Sequence, residues 1–407
     1  MLAHMSQFAD RPTTAASEAL RERLVRVAKA LSDRWRMAPI VAALALVWFY
    51  FAATSDVFLS YRNLSFLSVQ IVVTAMLGLA LLFLLILGEI DLAAVGTSAV
   101  SATVAAKFAV EHGMGIEISL LASLLTGGLI GFVQGLVVIL TRAPSFIVSL
   151  GASLVLSGVL LWLLPKTGLI SLVNVPLADL AITYLPAWLG NLLAALVVLI
   201  VLVLRFDSYR ERRRHGLPAR FGVDVVLTAT ISAAGALGVV ATLNAFRGVP
   251  TPLALLIAMM GGFAYVTTQT SFGLYLYAIG TNAEAARRAG ISVARVRLMT
   301  FMLAGVISGF AGVIAAGRIL SVSTESASPT LLLQAIAATV IGGASLFGGR
   351  GSVWSPLIGA LVVGSIANGM LLLDASTESR LVVQGIILII AVSVDSFISR
   401  WGSPTRS

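Results

Sequence analysis

From residue 38 onward the chain repeats one pattern: a run of 17 to 24 mostly apolar residues, a short polar break, then another run. A hydrocarbon layer about 30 Å thick takes roughly 20 apolar residues per helix, and lipid tolerates only backbones whose N–H and C=O groups are paired internally. The pattern therefore specifies an all-α fold, a polytopic transmembrane helical bundle. Twelve runs read as spans: 38–54, 64–87, 92–110, 117–140, 145–164, 187–205, 223–243, 252–272, 298–320, 331–347, 352–373 and 380–398. With 58% hydrophobic and 11% charged residues, the composition is that of a membrane protein.

The cations set the sidedness. If the N-terminus is cytoplasmic, 21 of the 27 Lys and Arg fall inside and 6 outside, namely Arg62, Lys107, Lys166, Arg247, Arg318 and Arg380. Both termini are then cytoplasmic, the net charge of +9 reflects topology, and a nucleic-acid partner is superfluous. Residues 1–37 read as a cytoplasmic segment: Leu20, Leu24, Val27, Leu31 and Trp35 recur at helical spacing among Arg21, Arg23, Arg26, Lys29 and Arg34, a basic amphipathic helix suited to anionic membrane lipids. The first apolar run lacks a cleavage signal and reads as an uncleaved span. Residues 38–400 form the membrane domain, and 401–407 a cytoplasmic tail.

Two places strain the span count. The tenth run has about eleven clean apolar residues, Leu331 to Ile341, before Gly342, Gly343, Gly348, Gly349 and Gly351, so a re-entrant or broken helix is expected there. At Gly88-Glu89-Ile90-Asp91 two carboxylates sit between apolar runs. They are open to three readings: a structural helix cap, a lining of the transport path, or a proton relay as in an ion-coupled secondary transporter. Close helix packing is expected where Gly127, Gly131 and Gly135 recur in the fourth run and Gly305 and Gly309 in the ninth.

Catalysis finds little support. Cysteine is absent, the three histidines (His4, His112, His215) are scattered in the tail and loops, and no metal-ligand spacing occurs. The three lysines, Lys29, Lys107 and Lys166, none of them after glycine, exclude a phosphate-binding P-loop. The chain is expected to be no enzyme, with no catalytic residue, metal or cofactor of its own.

The polar segment 273–297 is expected to be a cytoplasmic loop containing a short helix. Asn282 is placed to cap it, Glu284 sits in the first turn where the helix dipole favours an acid, and Gly290 can end it in the left-handed conformation. Spacing alone leaves two readings: an inert connecting helix, or one whose low face of Ala285, Ala286 and Ala289, with Arg287 and Arg288 beside it for charge-assisted contacts, nests in a groove on a partner. Among buried amides, Gln334 and Asn368 lie nearest the glycine-rich break and are candidate path-lining groups with Glu89 and Asp91.

Glu284-Ala285-Ala286, three residues, then Gly290 resembles the coupling loop of ABC importer permeases. Gly88-Glu89-Ile90-Asp91-Leu92, together with 273–320 and Ile341 to Ser352, is similar to the ribose and xylose sugar branch of that family. The likeness runs from about residue 60 to 398. The extra pair at 187–205 and 223–243, beyond a ten-span core, and a Glu at 89 where ribose-type members tend to have Gly, resemble the long xylose-type permeases. The resemblance implies a bacterial inner-membrane permease subunit importing a monosaccharide, xylose or a related pentose, by alternating access. It further implies ATP bound by a separate ATPase docked on Asn282, Glu284, Ala285, Ala286, Arg287, Arg288 and Gly290, a periplasmic sugar-binding protein, and a second permease copy, giving a homodimer.

Because the chain has no cysteine, single thiols report sidedness cleanly. Lys166→Cys should react with an impermeant maleimide on intact cells, and His215→Cys only after permeabilisation. The opposite labelling pattern overturns the assigned orientation.

Overall fold

The computed structural model describes residues 38–215 and 221–401. The expected N-terminal amphipathic helix and the tail past residue 401 lie outside the described residues. Each of the twelve apolar runs contains a helix, the tenth only as far as Ile341. In chain order the helices are α1 (Ala38–Thr54), α2 (Tyr61–Leu87), α3 (Ala94–Val110), α4 (Ile116–Thr141), α5 (Ser145–Leu163), α6 (Ala187–Arg214), α7 (Thr228–Asn244), α8 (Thr251–Gln269), α9 (Ser271–Thr281), α10 (Ala283–Arg288), α11 (Val293–Ile319), α12 (Pro329–Ile341), α13 (Ser355–Leu372) and α14 (Thr377–Trp401). Among the described residues eight are long and apolar enough to cross a membrane: α2, α4, α5, α6, α7 with the π-helical turn before it, α8, α11 and α13. The other four expected runs are helices of 17, 17, 13 and 25 residues. The chain divides after Leu46: the described part of the first unit is the opening of α1, and the unit from Val47 onward holds the bundle.

Two boundaries depart from the sequence reading. The arginine-rich stretch expected as a loop continues α6 to Arg214, where basic residues suit a helix C-terminus. Arg210 and Arg213 also lie over the Phe206 and Tyr209 rings one turn earlier, at 5.7 and 5.9 Å. The expected loop from residue 273 begins instead inside α9, which Thr270 caps through the Gly273 N–H at 3.5 Å.

The apolar stretches of α2 and α6 are equally hydrophobic, yet 89% of the first is buried within the protein, against 12% for α6 and 17% for α7, so the extra pair is peripheral. Alongside α2 runs α11, held to α4 by their glycines. A Cβ on Gly127 would strike the Gly305 carbonyl, one on Gly305 the Gly127 carbonyl, and one on Gly131 the Phe301 carbonyl. Ser123 adds a hydrogen bond from its Oγ to the Gly309 carbonyl at 3.0 Å. Backbone meets backbone here because no side chain intervenes.

With 27 residues, α11 is about 40 Å long at 1.5 Å per residue, and so it separates two ends of the bundle. At one end strand β1 (Leu169–Ser171) pairs antiparallel with β4 (Ser321–Ser323), and β2 (Tyr184–Leu185) with β3 (Val249–Pro250). At the other, the Gly349 N–H donates to the Ile86 carbonyl at 2.8 Å, and Gly280 packs on that same carbonyl. The chain leaves β4 at the strand end and reaches Ile86 through Gly349, so the tenth run traverses the bundle as a broken helix. Its short α12 is followed by irregular backbone satisfied by protein: Ser345 N–H donates to the Arg350 carbonyl at 3.1 Å, and Tyr277 Oη–H to the Gly351 carbonyl at 2.8 Å.

The glycine contact should govern stability. Gly131→Leu, which must displace backbone, is expected to destabilise by about 1–3 kcal/mol or more, whereas Gly151→Leu, facing open space, should be near neutral. Thermal unfolding of the purified variants in detergent compares the two, and equal midpoints would contradict the packing described.

Candidate functional site

The Ile86 end collects the motifs singled out in the sequence. Gly88 ends α2 in a left-handed conformation, φ 80°, with its N–H donating to the Leu85 carbonyl and that of Glu89 to the Leu84 carbonyl, both at 2.9 Å. This is a Schellman termination, which favours glycine. The next three residues each have a separate structural task. The buried Glu89 forms an ion pair with the half-buried Arg297 of α11, Oε1 to Nε 2.7 Å. Ile90 is clasped by α5, its N–H donating to Ser145 Oγ at 3.0 Å and its carbonyl accepting from Ser149 Oγ at 3.2 Å. Asp91 Oδ1 accepts the Ala93 N–H at 2.8 Å and so turns the chain into α3. Asp91 also faces the Gln134 amide of α4, whose buried Nε2 stops short of a full hydrogen bond.

The carboxylates thus have structural partners. For Asp91 the geometry shows a turn contact just ahead of α3, whose N-cap residue Ala93 carries no side-chain cap. Glu89 does something the motif alone did not suggest, because its partner lies more than 200 residues away.

Helix α10 follows the Gly280 contact directly. Asn282 Oδ1 accepts the Ala285 N–H at 2.9 Å, and Gly290, φ 84°, closes the helix, with its own N–H on the Arg287 carbonyl at 3.0 Å and that of Ile291 on the Ala286 carbonyl at 3.1 Å. Glu284 is shared by Arg287 (2.9 Å) and Arg288 (3.4 Å), all three exposed. The expected alanine face needs one correction. Ala286 points inward and belongs to the hydrophobic core, while Ala285 and Ala289 are exposed. A six-residue helix has too little surface to serve two sides equally, and Ala286 roots it in the bundle while Glu284, Ala285, Arg288 and Ala289 remain presentable.

The two amides proposed as path-lining groups each hydrogen-bond another amide. Asn368 of α13 and Asn63 of α2 bond reciprocally, Nδ2 to Oδ1 at 2.9 and 3.1 Å, and Asn63 also donates to the Phe58 carbonyl at 2.8 Å. Asn368 joins α13 to α2 at the strand end, away from the glycine-rich break that suggested it. Gln334 of α12 donates to Gln384 of α14 at 3.0 Å beside a small cavity of about 100 Å³. Polar groups that the sequence did not single out are Thr97 and Ser101 of α3 and Ser308 of α11, whose hydroxyls are buried without partners in the heart of the bundle. Their only signal in the sequence was polarity inside an apolar run.

Comparison with known proteins agrees with this arrangement. The family described as "Branched-chain amino acid transport system / permease component" matches residues 63–392. The xylose transport system permease protein XylH of Escherichia coli strain K12 is 36% identical over 361 residues, covering 89% of this chain and 91% of that protein. The fructose import permease protein FrcC of Rhizobium meliloti is 28% identical, covering 84% of this chain and 80% of its own. The ribose import permease protein RbsC of Bacillus subtilis is 42% identical over 150 residues, 37% of this chain and 46% of its own. No solved structure matches significantly.

The Glu89–Arg297 pair is expected to couple the α2–α3 turn to α11. A double-substitution cycle with Glu89→Gln and Arg297→Gln should give an interaction energy of about 1–3 kcal/mol, toward the lower end because Arg297 is partly exposed to solvent screening. Strictly additive losses in unfolding free energy would leave the pair without structural weight.

Proposed function

Because the chain belongs to the family of transport-system permease components, we propose that it is the membrane-spanning subunit of an ABC-type monosaccharide importer, with xylose or a related pentose as cargo and a separate ATPase as its motor. The observation that carries the substrate choice is the match to a xylose permease along nearly the whole of both chains, 89% and 91%, where the ribose permease match covers 37% of this one.

The Ile86 end is the cytoplasmic one in this reading. Arg142, Arg287, Arg297 and Arg350 gather there, and Lys107, Lys166 and Arg318 lie toward the strand end, which is the partition that the positive-inside rule favours. The ATPase docks on α10, touching Glu284, Ala285, Arg287 and Arg288, while Asn282 and Gly290 fix the helix ends and Ala286 anchors the helix inward. Motion imposed on α10 reaches the bundle by two routes: Gly280 against the Ile86 carbonyl, and the α10–α11 turn into Arg297 and Glu89. Substrate arrives at the strand end from a periplasmic binding protein, received by the segment from Lys166 to Pro186, and crosses between two copies or within one as the bundle alternates. Glu89 and Asp91 serve structure in this scheme, and ion-coupled transport has no observation in its favour.

In proteoliposomes holding the assembled transporter, xylose uptake should require ATP and survive a protonophore. Glu284→Ala and Gly290→Val should each reduce uptake by about 5- to 150-fold, the usual span of an intersite coupling, while insertion and abundance stay unchanged. Uptake driven by an ion gradient without ATP, or full uptake by both variants, refutes this function.

A further inference from the structure

A cavity of about 570 Å³ opens between the C-terminal turn of α4 and the turn joining α10 to α11, within the roughly 300–1,000 Å³ typical of small-molecule sites. Three arginines line it, Arg142, Arg287 and Arg297, together with the apolar Ile139, Ile291 and Val293, and no acidic residue lines it. Two of these arginines have acid partners outside the lining, Glu284 for Arg287 and Glu89 for Arg297. Glu284 is already divided between Arg287 and Arg288. Among the described residues no carboxylate pairs with Arg142. Positive charge is therefore in excess at the cavity.

The position of Arg142 is informative. It follows α4 with φ 56°, a left-handed conformation that glycine or asparagine adopts with less strain, and although a cation suits the C-terminal end of a helix, no carboxylate among the described residues neutralises this one. Leading to the cavity along the outside of α4 is a continuous apolar stripe, with Leu125, Leu129, Val133, Leu136 and Leu140 all exposed at helical spacing. In a protein that spans a bilayer, such a stripe faces acyl chains. A cationic cavity at its end stands where a lipid headgroup would be.

We propose that this cavity binds the phosphate of an anionic phospholipid, with Arg142 as the principal ligand, Arg297 beside it, and the acyl chains lying along the α4 stripe. Guanidinium groups match phosphate oxygens in a bidentate way, and the adjoining Ile139 and Val293 suit the first carbons of the lipid tail. The site adjoins the proposed ATPase-docking helix but needs neither ATP nor the ATPase for its occupancy.

The test uses the purified full-length permease without its partners, exposed to equal phosphatidylglycerol and phosphatidylcholine, with bound lipid counted by native mass spectrometry. Wild type should retain phosphatidylglycerol preferentially, and Arg142→Asn, which suits the left-handed backbone, should weaken that retention about fivefold, the effect of one cation at a lipid surface. Unchanged helicity and elution volume of Arg142→Asn would confirm that the fold is kept. A second arm measures thermal stabilisation by inorganic phosphate: stabilisation by free phosphate without phosphatidylglycerol retention overturns the lipid assignment. Equal retention of both lipids, or retention indifferent to Arg142, also overturns it. So does an Arg142→Asn variant that holds phosphatidylglycerol normally but loses the ATPase, because the cavity would then receive an acidic group of that partner.

Discussion

The contact between α4 and α11 through Gly127, Gly131 and Gly305 sets the geometry of the rest. Apolar side chains gain nothing from leaving lipid for one another, so helix association in a membrane depends on close packing and on polar contacts between helices. Removing the side chains at the crossing brings two long helices together at backbone distance. Helix α11 then becomes an axis that reaches both ends, carrying Arg297 at the first and joining β4 at the second.

Polar groups elsewhere in the bundle pin this packing to one arrangement. The Asn63–Asn368 pair, the Trp48 Nε1–H on Ser365 Oγ at 2.9 Å and the Thr339 Oγ–H on the Gly78 carbonyl at 3.0 Å all join residues more than 250 positions apart. Each ties α2 or its neighbours to α12 or α13, the two helices flanking the glycine-rich break. Irregular backbone at that break is tolerable because Ile86, Tyr277 and Arg350 supply its hydrogen-bond partners.

Function in the proposed scheme is concentrated where rigid and protruding parts meet. The turn Gly88 to Asp91 is fixed on three sides, by α11, by α5 and by the start of α3. Beside it α10 projects, held by one buried alanine and two well-formed ends. A force on such a helix is delivered to the bundle with little lost in local bending, because its caps leave few backbone groups free to rearrange.

The sequence by itself determined what depends on neighbours a few residues apart. Helices formed in all twelve apolar runs because lipid supplies no partners for backbone groups, and Gly88, Asn282 and Gly290 ended or began helices because their conformational and hydrogen-bonding preferences act locally. The glycine stripes announced close packing as well. Only the tertiary structure decided which groups meet. Arg297 took Glu89, Asn63 took Asn368, Ala286 turned inward, and α2 became central while the extra pair stayed outside. These outcomes join residues far apart in the chain. Apolar helices look alike in composition whether they face lipid or protein, so no local pattern could have chosen among the possible neighbours.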